Sequence, residues 1–302
     1  MPVPTDGNMP DQMHDMSTGE SASGGFFVDS VVRMSGNKLV ILSLLVLALL
    51  IVSAIFAPWL APYDPTEQVL ADSLQGPGRK HLLGTDEMGR DILSRIIYGA
   101  RISLSVGFVS QLIACSIGVL LGSLAGYYGG LADTVVSRAI EIFAAFPELL
   151  FAIGIMFVLG PGVINVFIAL GLLSWTQYAR LVRGQVMQLR EMEYTQACIV
   201  CGGSNARIIV RHLLPNCMST IIVLVTLGIP GAILTEASLS YIGLGVQPPT
   251  ASWGQMISTA QQYISFYPYY SITPGVAIII TVLAFNIFGD GLRDALDPRL
   301  RD

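Results

Sequence analysis

Apolar residues gather along this chain into six runs, each close to the ~20 residues an α-helix needs to cross a ~30 Å hydrocarbon core. The first, 38–57, is closed by Pro58. The second covers about 102–125. The third, about 139–159, is interrupted by Pro147 and closed by Gly160-Pro161-Gly162. Residues 163–179, about 218–237 with Pro230 inside, and about 272–288 complete the set. The pattern predicts an all-α membrane protein with six transmembrane helices. Two polar stretches divide it, an outer loop over 58–100 and an inner loop over 180–216. Residues 1–35 show no apolar period and read as a disordered cytoplasmic tail, so 36–302 form one transmembrane domain. The first apolar run is too long for a signal-peptide core and is expected to be retained as an anchor.

Composition supports the bilayer. Only 12% of residues are charged and mean hydropathy is +0.64, against about 25% charged in soluble domains. Lys and Arg then set the orientation. With the N-terminus inside, inner segments hold eleven of the sixteen. The other five, Arg79, Lys80, Arg90, Arg95 and Arg101, lie in or beside the 58–100 loop, where six carboxylates offset them. The segment 239–271 carries no charge but many aromatics, among them Trp253, Tyr263, Tyr269 and Tyr270. It reads as an interfacial belt or as a substrate-facing gate. The expectation is N-in, C-in. No basic stripe suits nucleic acid.

Covalent chemistry finds little support. Gly76-Pro-Gly-Arg-Lys80 lacks phosphate-loop spacing, and neither HExxH nor GxSxG occurs. The three histidines, His14, His81 and His212, fall in separate regions. Cys198 and Cys201 have the spacing of a metal or redox pair, but as small side chains they also suit helix packing, and no metal or other cofactor is expected on this chain. Ser110, Ala114, Gly118, Gly122 and Gly126 recur every four residues. Such a stripe lets helix backbones approach closely, within one subunit or at a subunit boundary. Acids at membrane depth are costly. Glu236, Glu141 and Glu148 each lie near an expected helix end, where a carboxylate reaches water or a backbone N–H. The other reading gives Glu236 and Glu148, with Trp253, a part in gating or translocation.

The most informative stretch is 193–216, polar and basic between two apolar runs. Glu193 to Val200 suits a short helix with Tyr194, Ala197 and Cys201 on one side. Gly202-Gly203 stops it, Ser204 or Asn205 caps a second helix, and Pro215 marks re-entry into the membrane. A structured inner loop of this length is expected to dock something soluble and relay its movement.

The stretch resembles the EAA loop of binding-protein-dependent ABC importers, whose pattern is EAA, three residues, Gly, nine residues, then I-x-L-P. Here it reads Gln196-Ala197-Cys198, Gly202, then His212-Leu213-Leu214-Pro215. Gln196, Cys198 and His212 depart from the pattern; Ala197, Gly202, Leu214 and Pro215 keep it. Further strings, His81–Asp91, Ala237–Gly245, Gln247–Gly254 and Gly289–Pro298, resemble the C-type permease of dipeptide and oligopeptide importers, over about Lys38 to the C-terminus.

That resemblance implies a type I importer permease fold in the cell inner membrane. It implies four kinds of partner: a second permease, two ABC ATPase subunits that bind ATP and Mg, an outer substrate-binding protein and the lipid bilayer. It places ATPase docking on Glu193, Tyr194, Gln196, Ala197, Gly202, Gly203, Arg207, Leu214 and Pro215. The cargo would be di- or oligopeptides; nickel, glutathione and other small-ligand importers share the permease type. An ion-coupled secondary transporter is the rival from another class. It would want mid-membrane acids and inverted repeats, and neither stands out. A membrane-anchored structural protein, the other rival, would not need the docking loop.

Overall fold

Asn37 starts the first helix by accepting a hydrogen bond from Leu39 N–H on its Oδ1, at 3.0 Å. It stands at the beginning of a computed structural model that describes residues 36–296. The expected tail at 1–35 and the last residues, with Arg299 and Arg301, lie outside the described residues. Helix α1 is Lys38–Ile55, and the short α2, Ala57–Leu60, carries Pro58 in its first turn. Helix α3, Ile92–Tyr128, is followed by α4, Gly130–Ala144, and α5, Glu148–Leu159. Then come α6, Val163–Arg190, α7, Glu193–Val200, and α8, Asn205–Ile208. Helix α9 is Leu214–Tyr241, α10 is Trp253–Ala260 and α11 is Pro268–Leu296. Among the described residues, pairing of the β kind is limited to one isolated bridge, Thr85 to Asp91.

Among the described residues, four helical stretches are long and apolar enough to cross a membrane: α1, α3, the run Asn205–Tyr241 and α11. The pair α4–α5 passes the same test together but bends by 94° at its break. Pro147 explains the bend, because it cannot donate a backbone hydrogen bond and disfavours helix in the residue before it. The expected third span is therefore an elbow rather than a rod. Helix α6 has 28 residues, about 42 Å at 1.5 Å per residue, but its second half carries Gln177, Arg180, Arg183 and Gln185. Length and apolarity alone thus give four spans, or five with the bent pair, where six were expected.

The expected loops are shorter than the sequence pattern suggested. Helix α3 begins at Ile92, inside the expected 58–100 loop, with Asp91 capping it through Oδ2 to Ser94 N at 2.8 Å. Helix α6 runs to Arg190, taking up the first eleven residues of the expected 180–216 loop. Polarity marks where a chain leaves lipid, and helices continue past that point.

Helix α3 packs along α6 through the small-residue stripe. A Cβ on Gly118 would stand 2.4 Å from Tyr178 Cβ, on Gly122 2.6 Å from Ala179 O, and on Gly126 2.7 Å from Arg183 O. The stripe thus meets a helix of its own chain. Gly289 and Gly291 do the same for α11, where a Cβ would meet Leu227 at 2.5 Å and Val40 at 2.4 Å. The aromatics of segment 239–271 divide: Trp253 is fully buried in one core with Leu47, Leu104, Ile233 and Phe285, whereas Tyr241 and Phe266 are exposed.

Candidate functional site

The docking segment is fixed from behind. Helix α7 ends at Gly202, whose φ of +78° is the left-handed conformation that glycine adopts without a Cβ penalty. Gly202 N donates to Ile199 O and Gly203 N to Cys198 O, both at 3.0 Å, the double bond of a Schellman stop. Gly203 also lies where a Cβ would come within 2.9 Å of Cys198 O. Gln196 Nε2 donates to Arg190 O at 2.9 Å, and the buried Thr195 hydroxyl donates to Leu189 O at 2.8 Å. Both tie α7 to the end of α6. Tyr127 OH, at the end of α3, donates to Asn205 Oδ1 at 3.0 Å, and the Arg190 guanidinium lies 5.8 Å from the Tyr127 ring centroid. Ile208, Ile209 and Leu213 join Val182 and Val186 in a buried cluster beneath.

The opposite face is open. Glu193, Tyr194, Gln196, Ala197, Gly202, Arg207 and Pro215 are exposed, with Gly203 and Leu214 half-buried. Val200 is 86% and Tyr194 43% exposed. Apolar side chains held outward on a helix whose back is pinned mark an interaction site. The nine docking candidates thus fall into one region around α7 and the start of α9. The second short helix is not a separate unit, for α8 continues through a π turn, Ile209–Leu213, into α9. Inside a helix the Pro215 ring crowds the carbonyl of Arg211, four residues earlier; the wider turn directly before it relieves that crowding. Cys198 Sγ stands 4.0 Å from His212 Nε2, a contact the spacing of Cys198 and Cys201 did not reveal.

The gate candidates separate. Glu236 does not reach water, as its position near a helix end had suggested. It is fully buried, and its Oε1 accepts from Ser240 Oγ at 2.7 Å and Ser252 Oγ at 2.9 Å. Ser240 Oγ accepts in turn from Val246 N at 3.2 Å, and Ser252 Oγ from Gln255 N at 3.1 Å, so one carboxylate oxygen ties the end of α9 to the start of α10. Glu236 Oε2 has no hydrogen-bond partner. A Cβ on Gly254 would come 3.2 Å from it, so glycine is what lets the two segments close. The neighbouring Trp253 is held on α3, its backbone N donating to Ser103 Oγ at 3.2 Å and its indole Nε1 to Ile96 O at 3.1 Å. Glu148 stands elsewhere, exposed at the start of α5 beside the elbow.

Outside this latch, the charges of 58–100 form a buried clasp that sequence reasoning counted only as offsetting charges. Arg95, 1% exposed, donates from Nη2 to Gln255 Oε1 at 3.0 Å and from Nη1 to Pro65 O at 3.1 Å, and lies 3.5 Å from Asp86. Arg90 Nε donates to Asp86 Oδ2 at 2.6 Å, and Tyr270 OH donates to Glu87. His81 Nδ1 lies 2.9 Å from Asp91 Oδ1. Lys80 donates to Asp72 and holds that carboxyl below the usual range. Gly89, with φ +74°, lies where a Cβ would overlap Val69 O, so this string has no room for a side chain. The only available signal was the density of both signs of charge in a short outer loop.

The family described as binding-protein-dependent transport system inner membrane component matches residues 118–302, a stretch that includes the candidate docking segment and Glu236 with its serines. The chain belongs to this family. It is a membrane permease component of an importer rather than an enzyme, with ATP hydrolysis in separate subunits. Residues 25–77 match a second description, the N-terminal transmembrane domain of oligopeptide transport permease C. The permease is 45% identical over 269 residues to the dipeptide transport system permease protein DppC of Alkalihalophilus pseudofirmus, covering 89% of this chain and 88% of the relative. It is 43% identical over 273 residues to the oligopeptide permease protein OppC of Bacillus subtilis, covering 90% of each. It is 44% identical over 254 residues to the glutathione permease protein GsiD of Pectobacterium atrosepticum, covering 84% of each. In fold it is similar to a chain of the MetNI methionine ABC transporter solved in inward-facing conformations, with a TM-score of 0.54 at 20% identity, over 68% of this chain and 98% of that one.

Proposed function

We propose that this permease forms, with a second and similar permease subunit, the path by which an ATP-driven importer carries di- and oligopeptides across the cell inner membrane. In this reading the chain crosses six times, N-in and C-in, with α4–α5 as a broken span and α6 as a polar-ended one. Two ATPase subunits, holding ATP and Mg, dock on α7 and its surroundings from inside. A substrate-binding protein meets the outer side. This chain itself binds no cofactor. The observation that carries the reading is the outward apolar face of α7, pinned from behind by α3, α6 and the α8–α9 junction. A groove on a soluble partner that engages this face moves three long helices together, which is how a local push becomes alternating access. The peptide cargo rests on the relatives named for dipeptides and oligopeptides.

The test is uptake of labelled dialanine into proteoliposomes that hold the whole complex, with ATP inside the compartment where the ATPases face. Uptake should require both ATP and the binding protein and should ignore an uncoupler. Uptake driven by an ion gradient without ATP would overturn the reading in favour of a secondary transporter. Glutathione is the second cargo to try, because a glutathione permease is as similar as the peptide permeases. Preference for glutathione over dialanine would reassign the cargo and leave the importer.

A further inference from the structure

The elbow and the facing part of α6 together carry six charged side chains that the coupling surface and the outer latch do not use. Four are paired. Arg183 of α6 donates to Asp133 of α4 through both Nε and Nη2, the latter at 2.9 Å. Arg138 and Glu141, both largely exposed on α4, pair at 2.6 Å. The remaining two, Glu148 and Arg180, have neither a hydrogen-bond nor an ion-pair partner for their side chains among the described residues. They are of opposite sign, and they line the same cavity of about 240 Å³ between the elbow and α6. Its other polar walls are Thr176 and Gln177; Phe143, Ala144, Phe146 and Leu173 supply the apolar ones.

On the six-span reading, with the turn at 160–162 at one membrane face, helix geometry puts this cavity within the bilayer. Glu148 lies eleven residues before the end of α5, about 17 Å from the turn at 160–162, and Arg180 about 25 Å from that turn along α6. A ~30 Å core therefore has the cavity in the half away from the turn. Leu173, Thr176, Gln177 and Arg180 stand at i, i+3, i+4 and i+7, one face of α6. That face turns polar where the elbow opens opposite it. Ionisable groups at this depth persist when they pair or when a wet path or a ligand solvates them. Their neighbours pair; these two face a space.

We propose that the elbow cavity is a subsite for a small zwitterion in transit, its ammonium group on Glu148 and its carboxylate on Arg180. The inference rests on the peptide-import reading and deepens it. A free dipeptide carries both charges, and Arg matches a carboxylate with two parallel donors. The cavity is smaller than the ~300–1,000 Å³ of typical small-ligand sites. It takes the charged ends and the short backbone between them, and the rest of the ligand extends toward the second permease.

The experiment uses the complete reconstituted importer and labelled dialanine. Failure of the wild-type complex to move dialanine overturns the peptide reading and this inference with it. With wild-type uptake established, Glu148→Gln and Arg180→Gln are expected to lower uptake about tenfold or more, the loss of a charged group's hydrogen bond. Uptake per ATP hydrolysed should fall in both variants, since the lost contact is with the cargo and neither residue lies on the docking face. The double swap Glu148→Arg with Arg180→Glu should not recover uptake. Wild-type uptake in the single variants overturns the subsite. Recovery in the swap overturns it also, because the two residues would then need only each other. A second measurement decides the matter even where the charge variants fail to assemble. Thr176→Cys, in a chain with Cys115, Cys198, Cys201 and Cys217 replaced, should react with a cationic methanethiosulfonate, and dialanine supplied with its binding protein should slow that reaction severalfold. An unchanged rate overturns the proposal.

Discussion

At the scale of single residues, Glu236 changed its meaning most between sequence and structure. A carboxylate near a helix end ordinarily reaches water. Here it is walled in by Gly254 and two serines, and one oxygen holds both hydroxyls. Each hydroxyl also accepts a backbone N–H, so the acid sits at the head of two short hydrogen-bond chains that close α10 on α9. Glu236→Ala leaves two buried hydroxyls without their acceptor, at about 1–3 kcal/mol for each unsatisfied group. Glu236→Gln keeps one carbonyl oxygen and the side-chain shape. The alanine variant is therefore expected to melt lower than the glutamine variant, in a thermal scan of the purified complex. Both should alter the ratio of basal to binding-protein-stimulated ATP hydrolysis. Equal melting of the two variants and wild-type rates would show that the carboxylate holds nothing.

At the scale of elements, the docking helix depends on how it stops. The sequence showed Gly202-Gly203 after a short helix, and the structure supplies the reason for two glycines in a row. The first takes a positive φ, and the second passes too close to Cys198 O for a side chain. Gly202→Leu forces a side chain into the left-handed region, at about 1–2 kcal/mol, and the chain relieves that strain by tilting α7. Nothing contacts the Gly202 Cβ position, so the spanning helices should insert as before. The expected outcome is normal amounts of the variant in membranes, weakened co-purification of the ATPase subunits and reduced ATP-driven uptake. Full co-purification and uptake would separate the turn from docking. The α4–α5 elbow is the counterpart case. Pro147 announced an interruption, but proline fixes only where a helix breaks. The 94° turn that follows is held by packing against α6, through the Arg183–Asp133 pair and the contact of Phe143 with Trp175, and by the contact of Phe143 with Phe151 across the elbow itself.

At the scale of the whole molecule, orientation rests on the Lys and Arg balance, and the fold makes it testable at two distant points. Thr250 lies beside the outer clasp, whose Arg95 reaches the carbonyl of the next-door Pro249. Asn205 lies on the docking side, bonded to Tyr127. In a variant freed of its own cysteines, Thr250→Cys should react with an impermeant thiol reagent added to cells stripped of their outer barrier. Asn205→Cys should react only after the membrane is opened. The reverse pattern would turn the molecule over and put α7 out of reach of any ATPase.

The sequence by itself determined the features that depend on local chemistry. Apolar run length required helices at membrane depth. Glycine and proline punctuation placed the end of α7 and the break before Glu148. Charge asymmetry set an expected orientation, and the resemblance to the EAA loop named the candidate docking residues. Tertiary structure alone decided what became of polar groups far apart in the chain. Arg95 and Gln255 are 160 residues apart yet bonded, and Tyr270 meets Glu87 across 183. Glu148 and Arg180 share a cavity only because the elbow folds back on α6. Periodicity reports which face of a helix is apolar, but not which helix arrives there. A buried charge is stable only beside its partner, so its meaning is fixed when that partner is brought to it.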